Sequence, residues 1–209
     1  MEQLANFKNM PKMNRIGFIA PLAAMLSIIL CTIILPGFDW AANPLSDMGS
    51  WFRQDLGDLQ ILSAILFNGG LIVTGILSAY FAIWLIKQVK DRPSKIGLLP
   101  FVGTSLFLAG VGVFSEDFPL FHLWTALPFF FSIPIALGVI GLVWLRLGEL
   151  RLIGVVSICF SLLSLLIMFQ PWVNFSIAVF ETLEALVVMG WLWFVNYMQY
   201  KGRFGSIQT

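Results

Sequence analysis

The sequence predicts an all-α fold, a polytopic bundle of six transmembrane helices with both termini in the cytoplasm. Three observations predict it. The 209 residues are 59% hydrophobic and 11% charged, with a mean hydropathy of +0.91, where an average soluble domain carries about 25% charged residues. Six apolar runs are each long enough to cross a bilayer, which takes about 20 residues. The charges of the connections alternate in sign from one loop to the next.

The runs are Ile16–Leu35, Leu59–Ile86, Ile96–Phe114, Leu120–Leu145, Leu152–Phe169 and Ser176–Met198. The second and fourth are long enough to tilt or to project past the lipid. The N-terminal segment carries Lys8, Lys12 and Arg15 against Glu2, and the first loop carries Asp39, Asp47, Asp55 and Asp58 against Arg53 alone. The second loop is basic (Lys87, Lys90, Arg92, Lys95) and the third has Glu116 and Asp117 without a base. The fourth has Arg146 and Arg151 around Glu149, the fifth (Gln170–Phe175) has no charge, and the tail has Lys201 and Arg203. Eleven of the 12 bases therefore fall on one side, which the positive-inside rule makes cytoplasmic. The first run is too long for a signal-peptide core and reads as a retained anchor. One domain over residues 1–209 in the cell membrane accounts for the whole chain. A net charge of +1 gives no reason to expect nucleic acid as a partner.

Small and weakly polar residues mark helix contacts in lipid, which supplies no hydrophobic drive between helices. Gly154, Ser157, Ser161 and Ser164 form one stripe, Ala64, Asn68, Gly75 and Ala79 a second, and Ala20, Ala24, Ser27 and Cys31 a third. Gly103 and Gly110 lie one heptad apart in the third run. The serines read as packing residues bonded to the preceding turn, or as a polar path. Pro128 and Pro134 bend the fourth run. Cys31 and Cys159 lie at opposite ends of their helices, too far apart for a disulfide, and read as small buried residues. The 20 Phe and 8 Trp suit bilayer-facing and interfacial positions.

The chemistry-bearing residues gather at the non-cytoplasmic end. Asn43 to Gly49 (NPLSDMG) has the makings of a structured turn, with Ser46 and Asp47 either fastening it or facing a ligand. Glu116, Asp117 and His122 span the third loop, and His122 is the single histidine, a cap or a proton shuttle. Glu181 and Glu184 stand at i and i+3 inside the last run, roughly 6–12 Å from its outer end. Intramembrane carboxylates are costly and mark functional sites by default. Asn68 lies at comparable depth, so Glu184 is expected to bond Asn68 or a serine if its role is structural.

The order of these motifs carries a resemblance. Ser46-Asp47-x-Gly49, then Phe67-Asn68-Gly69-Gly70, then Gly110 to Phe114 with Glu116 before His122, and last the Glu-bearing sixth run, resemble the uncharacterised prokaryotic six-span family called domain of unknown function 998. The likeness covers roughly residues 14–200, the length of six spans and their loops. It extends distantly to eukaryotic DRAM-like autophagy modulators and lipid-anchor-remodelling proteins, which share the Ser-Asp-x-Gly loop. The resemblance implies a six-helix bundle, hints at lipid or sterol handling, and implies no reaction. It weights Asp47 and His122 toward function.

Three functions follow as expectations. The first is a protein that binds or modifies a membrane lipid, with Asp47, His122 and Glu184 as candidate catalytic groups and Ser46, Asn68, Glu116, Asp117 and Glu181 as candidate ligand contacts. One histidine with carboxylates is compatible with a divalent metal. A three-histidine zinc site and bis-histidine haem are excluded by the histidine count. The second is a small proton-coupled carrier, which would need a cavity continuing inward past Glu184. The third is an accessory subunit, packed on a membrane-protein partner or on another copy of itself.

Overall fold

The structure is a computed structural model that describes residues 7, 9–169 and 176–205. The fifth connection, with Glu2 and Lys8 of the N-terminal segment, lies outside the described residues. Six long helices are present: α1 (Lys12–Ile34), α2 (Gln60–Gln88), α3 (Arg92–Val113), α4 (Pro119–Leu145), α5 (Arg151–Met168) and α6 (Ile177–Tyr200). All six are long and apolar enough to span a membrane. Their bounds fall within a few residues of the apolar runs. The ends follow local chemistry. Asp91 accepts from the Ser94 N–H at 2.8 Å to start α3, Pro119 opens α4, and Ser176 accepts from the Val179 N–H at 3.1 Å to start α6.

Consecutive helices pack side by side and α6 returns to α1, so the bundle is a ring in chain order. The four seams from α1 to α5 are extensive, and the two made by α6 are sparser. At the end next to the basic loops the α1–α6 seam is fastened by polar pairs. Asn14 Nδ2 donates to Asn196 Oδ1 at 2.9 Å, Asn196 Nδ2 donates to the Asn14 carbonyl at 2.9 Å, and Trp193 Nε1 donates to the Phe18 carbonyl at 2.8 Å. At the other end Ser176 Oγ bonds the Trp40 carbonyl. In α1, Thr74 of α2 enters the backbone ladder: its hydroxyl accepts from the Ala24 N–H and donates to the Ala20 carbonyl, both at 2.9 Å. Beside Pro21, this is a side-chain insertion of the kind that bends helices.

The stripes on α1, α2 and α5 are all buried. The α5 serines have three different engagements. Ser157 donates back to Ile153 and accepts the Trp191 indole, Ser161 donates to the Pro134 carbonyl of α4, and Ser164 donates to Glu184. They pin neighbouring helices and do not line a path.

Three expectations are corrected. Gly103 is not a contact: a Cβ there would meet nothing within 4 Å, because α3 turns Thr104 and Ser105 inward instead. Cys159 is exposed, since it lies on the face of α5 opposite the serine stripe. Trp144 and Trp191 are fully buried, not interfacial, because the half of the bundle next to the basic loops needs large rings to fill it. There Phe101 packs on Trp191 with ring centroids 4.6 Å apart, and Trp144 packs on Phe204 at 5.4 Å. Of the two partners expected for Glu184, the structure has the serine: Glu184 bonds Ser164 at 2.7 Å, while Asn68 bonds the Gly49 carbonyl at 2.8 Å.

Candidate functional site

The first loop folds back onto the bundle as a short 3₁₀ turn, Leu45–Gly49. Side chains of α2 hold it by its carbonyls. Gln60 Nε2 donates to Asp47 O at 3.0 Å and Ser50 O at 2.9 Å, Ser63 donates to Met48 O at 2.9 Å, and Asn68 donates to Gly49 O. Gly49 suits this close docking, because a Cβ there would lie 2.5 Å from Asn68 Oδ1 and that side chain would have to shift. The third loop clamps the other side: Asp117 accepts from the Ser50 hydroxyl at 2.6 Å, the Trp51 N–H at 2.7 Å and the Ser115 hydroxyl at 2.9 Å. Its burial alone would raise the Asp117 pKa, but these donors hold it below the usual carboxylate value. Asn68 and Asp117 therefore build the loop.

Asp47 points inward and is 4% exposed. It accepts from Asn43 Nδ2 at 2.7 Å, pairs with Arg53, and faces Glu116. Arg53, the only base on this side, also reaches Asp55 through Nε at 2.8 Å. Burial, and then the hydrogen bond and charge of Asp47, push the Glu116 carboxyl up to about 8, against the opposing Ser46 hydroxyl and Arg53 charge. Glu116 thus keeps its proton at neutral pH and donates toward Asp47, as like-charged neighbours require. The native state then binds more protons than the unfolded chain between the ordinary glutamate value and about 8. Stability from this group is complete below the ordinary value and falls as pH rises through about 8. Glu116→Gln should remove this loss, so that denaturation midpoints measured from pH 5 to 9 decline less in the variant than in the wild type.

Beneath the loop lies a cavity with about 910 Å³ of unfilled space, counting its mouth. Every long helix except α5 contributes to its wall. It runs from Glu181 to Leu192 along α6, about 16 Å at the helical rise. Its wall is largely apolar, from Ile28, Phe67, Leu71, Phe129 and Val188 among others. Thr74, Thr104 and Ser105 reach it, but their hydroxyls donate to backbone carbonyls or, for Thr104, to Ser132 of α4, which leaves Ser78 as its deep polar spot. The charged and imidazole groups are all at the loop end: Ser46, His122 and Glu181.

Those three are poised differently. His122 Nδ1 lies 2.8 Å from the Phe114 carbonyl. A carbonyl only accepts, so Nδ1 carries the proton and Nε2 is the atom left to face a ligand. Glu181 Oε2 accepts from the Leu45 N–H at 2.6 Å, and no donor among the described residues engages its other oxygen. Ser46 joins the cavity to the Asp47–Glu116 pair behind it.

The structure thus brings Ser46, Asp47, Glu116, His122 and Glu181 to one end of one cavity. It does not bring Glu184 there. Glu184 is 0% exposed, between α5 and α6, with Oε1 unpartnered. Among the described residues no cluster of three or more His, Cys, Asp or Glu side chains is arranged to hold a metal ion. Two participants were not read from the sequence. Arg53 was legible as the lone base among acids. The cavity wall carries no local signal.

This is a multi-pass membrane protein with a polar-capped internal cavity. The chain belongs to the family described as protein of unknown function (DUF998), whose model matches residues 18–196. No curated protein and no solved structure matches it, so the wider likeness to DRAM-like proteins has no counterpart in these comparisons.

Proposed function

We propose that this protein binds a single-chain amphiphile in the cell membrane, with the chain in the cavity and the head at the non-cytoplasmic surface. The observation that carries the reading is the separation of chemistry along one cavity. About 16 Å of apolar wall ends in Ser46, His122 and Glu181. Small-molecule sites combine apolar lining of this kind with a few placed polar groups. The floor favours binding over passage: below Leu192 the ring is filled by Phe81, Phe101 and Trp191, which a carrier would have to displace.

The test fills the cavity. Ala126 and Ala185 line it from α4 and α6, and Ala185→Trp places an indole where the chain would lie. Lipids copurifying with wild type and variant are compared by mass spectrometry, alongside thermal stability. A single-chain species should be enriched on the wild type and fall about tenfold on the variant, a loss of about 1.4 kcal/mol in binding. If Ala185→Trp lowers stability, Ala126→Phe at the opposite wall provides the comparison. Equal lipid content in the wild type and a stably folded filled variant overturns the reading.

A further inference from the structure

Resting on that reading, we propose that the head of the bound amphiphile is a primary ammonium group, a hydrogen-bond donor with positive charge, and not a phosphate or carboxylate. The cavity's polar end presents acceptors. His122 has its Nδ1 proton on the Phe114 carbonyl, which leaves Nε2 as the ring atom that can accept from a ligand. Glu181 offers the carboxylate oxygen that the Leu45 N–H leaves free. Ser46 is engaged with Glu116 on its far side, and its oxygen keeps lone pairs for the cavity. No lysine or arginine lines the cavity.

The electrostatics behind this rim point the same way. Glu116, bonded to both Ser46 and Asp47, keeps its proton, so the negative charge there is that of Asp47, and the nearby base among the described residues, Arg53, is already held by Asp47 and Asp55. An anionic head would bring acceptors to acceptors and negative charge to negative charge, which is destabilising for buried groups. An ammonium has three N–H donors and no acceptor, and the rim supplies three acceptors. Charge-assisted bonds of this kind are about twice as strong as neutral ones. The cavity length suits a chain of roughly 12 carbons when extended over about 16 Å.

The full-length protein in uncharged phosphatidylcholine nanodiscs is titrated with dodecylamine, dodecanol and dodecanoate at pH 7, with Ala185→Trp as the blank for partition into lipid. The amine should bind about tenfold more tightly than the alcohol and more tightly still than the acid. Glu181→Gln, which keeps an acceptor for the Leu45 N–H, should remove most of that preference. If the acid binds as well as the amine, or Glu181→Gln leaves the preference intact, the ammonium assignment is overturned while chain binding stands. If none of the three exceeds the blank, the amphiphile reading itself fails.

Discussion

Gly75→Val will cost the bundle about 3 kcal/mol or more, the upper range for overpacking a tight contact. A Cβ at Gly75 would lie 2.5 Å from the Ser105 carbonyl oxygen, 2.6 Å from the Ala109 nitrogen and 2.8 Å from the Ala109 Cβ. Two of these are backbone atoms of α3, so no rotamer change relieves the clash and α2 must move away from α3. The same seam is tight at Gly112, where a Cβ would meet the Asn68 carbonyl at 2.5 Å. Close backbone approach is how helices associate in lipid, and here it also shapes the cavity. Leu71, Thr74 and Ser78 on α2 and Thr104, Ser105 and Leu108 on α3 all line it, so parting the seam opens its wall. Denaturation in mixed micelles measures the loss. Gly103→Val on α3 is the control, since a Cβ there meets nothing; it should change stability by less than about 0.5 kcal/mol. Equal losses at the two positions would show that the contact at Gly75 does not decide.

The contrast between Gly75 and Gly103 marks what a sequence displays and what it withholds. Apolar length is a local property, so the six helices were legible residue by residue. A stripe such as Gly154, Ser157, Ser161 and Ser164 was legible because small residues recurred at helical spacing over three turns. A pair such as Gly103 and Gly110 has too few members to fix a face, and one of its two glycines points away from every neighbour. Glu181 and Glu184 show the limit more sharply. At i and i+3 they share a broad face, yet they are about 60° apart around the axis. On α6 that angle suffices to send Glu181 to the cavity and Glu184 to Ser164 on α5. Asp47 and Glu116 were legible as lying on one side of the membrane; their contact was not, because it depends on Gln60, Ser63 and Asn68 drawing the turn inward. The cavity is the least legible feature. It is the space left over between side chains of five helices and one turn, and no stretch of sequence encodes a volume.

Asp47→Ala should lower stability by about 2 kcal/mol, less than for a fully buried ion pair, because Asp47 is buried but Arg53 is 29% exposed. The substitution leaves Arg53 with the exposed Asp55 alone and strands the Asn43 amide that donates to Asp47. It also removes the negative charge facing Glu116, whose pKa should fall from about 8 toward the ordinary glutamate value while its burial still holds it up. Asp47→Asn keeps an acceptor of the same shape and should cost less, about 1 kcal/mol. The pair must behave as a unit. Once Asp47 is alanine, Glu116→Gln should have a smaller effect on the pH dependence, that of burial alone, so the two changes combine non-additively. The turn itself should stay docked in either variant, because α2 holds it through the carbonyls of residues 47 to 50 and not through the carboxylate. Binding and stability then come apart. Asp47→Ala should weaken an ammonium amphiphile through lost charge behind Ser46 yet leave the neutral alcohol bound as before. If alcohol binding disappears as well, Asp47 shapes the cavity, and the electrostatic role assigned to it is wrong.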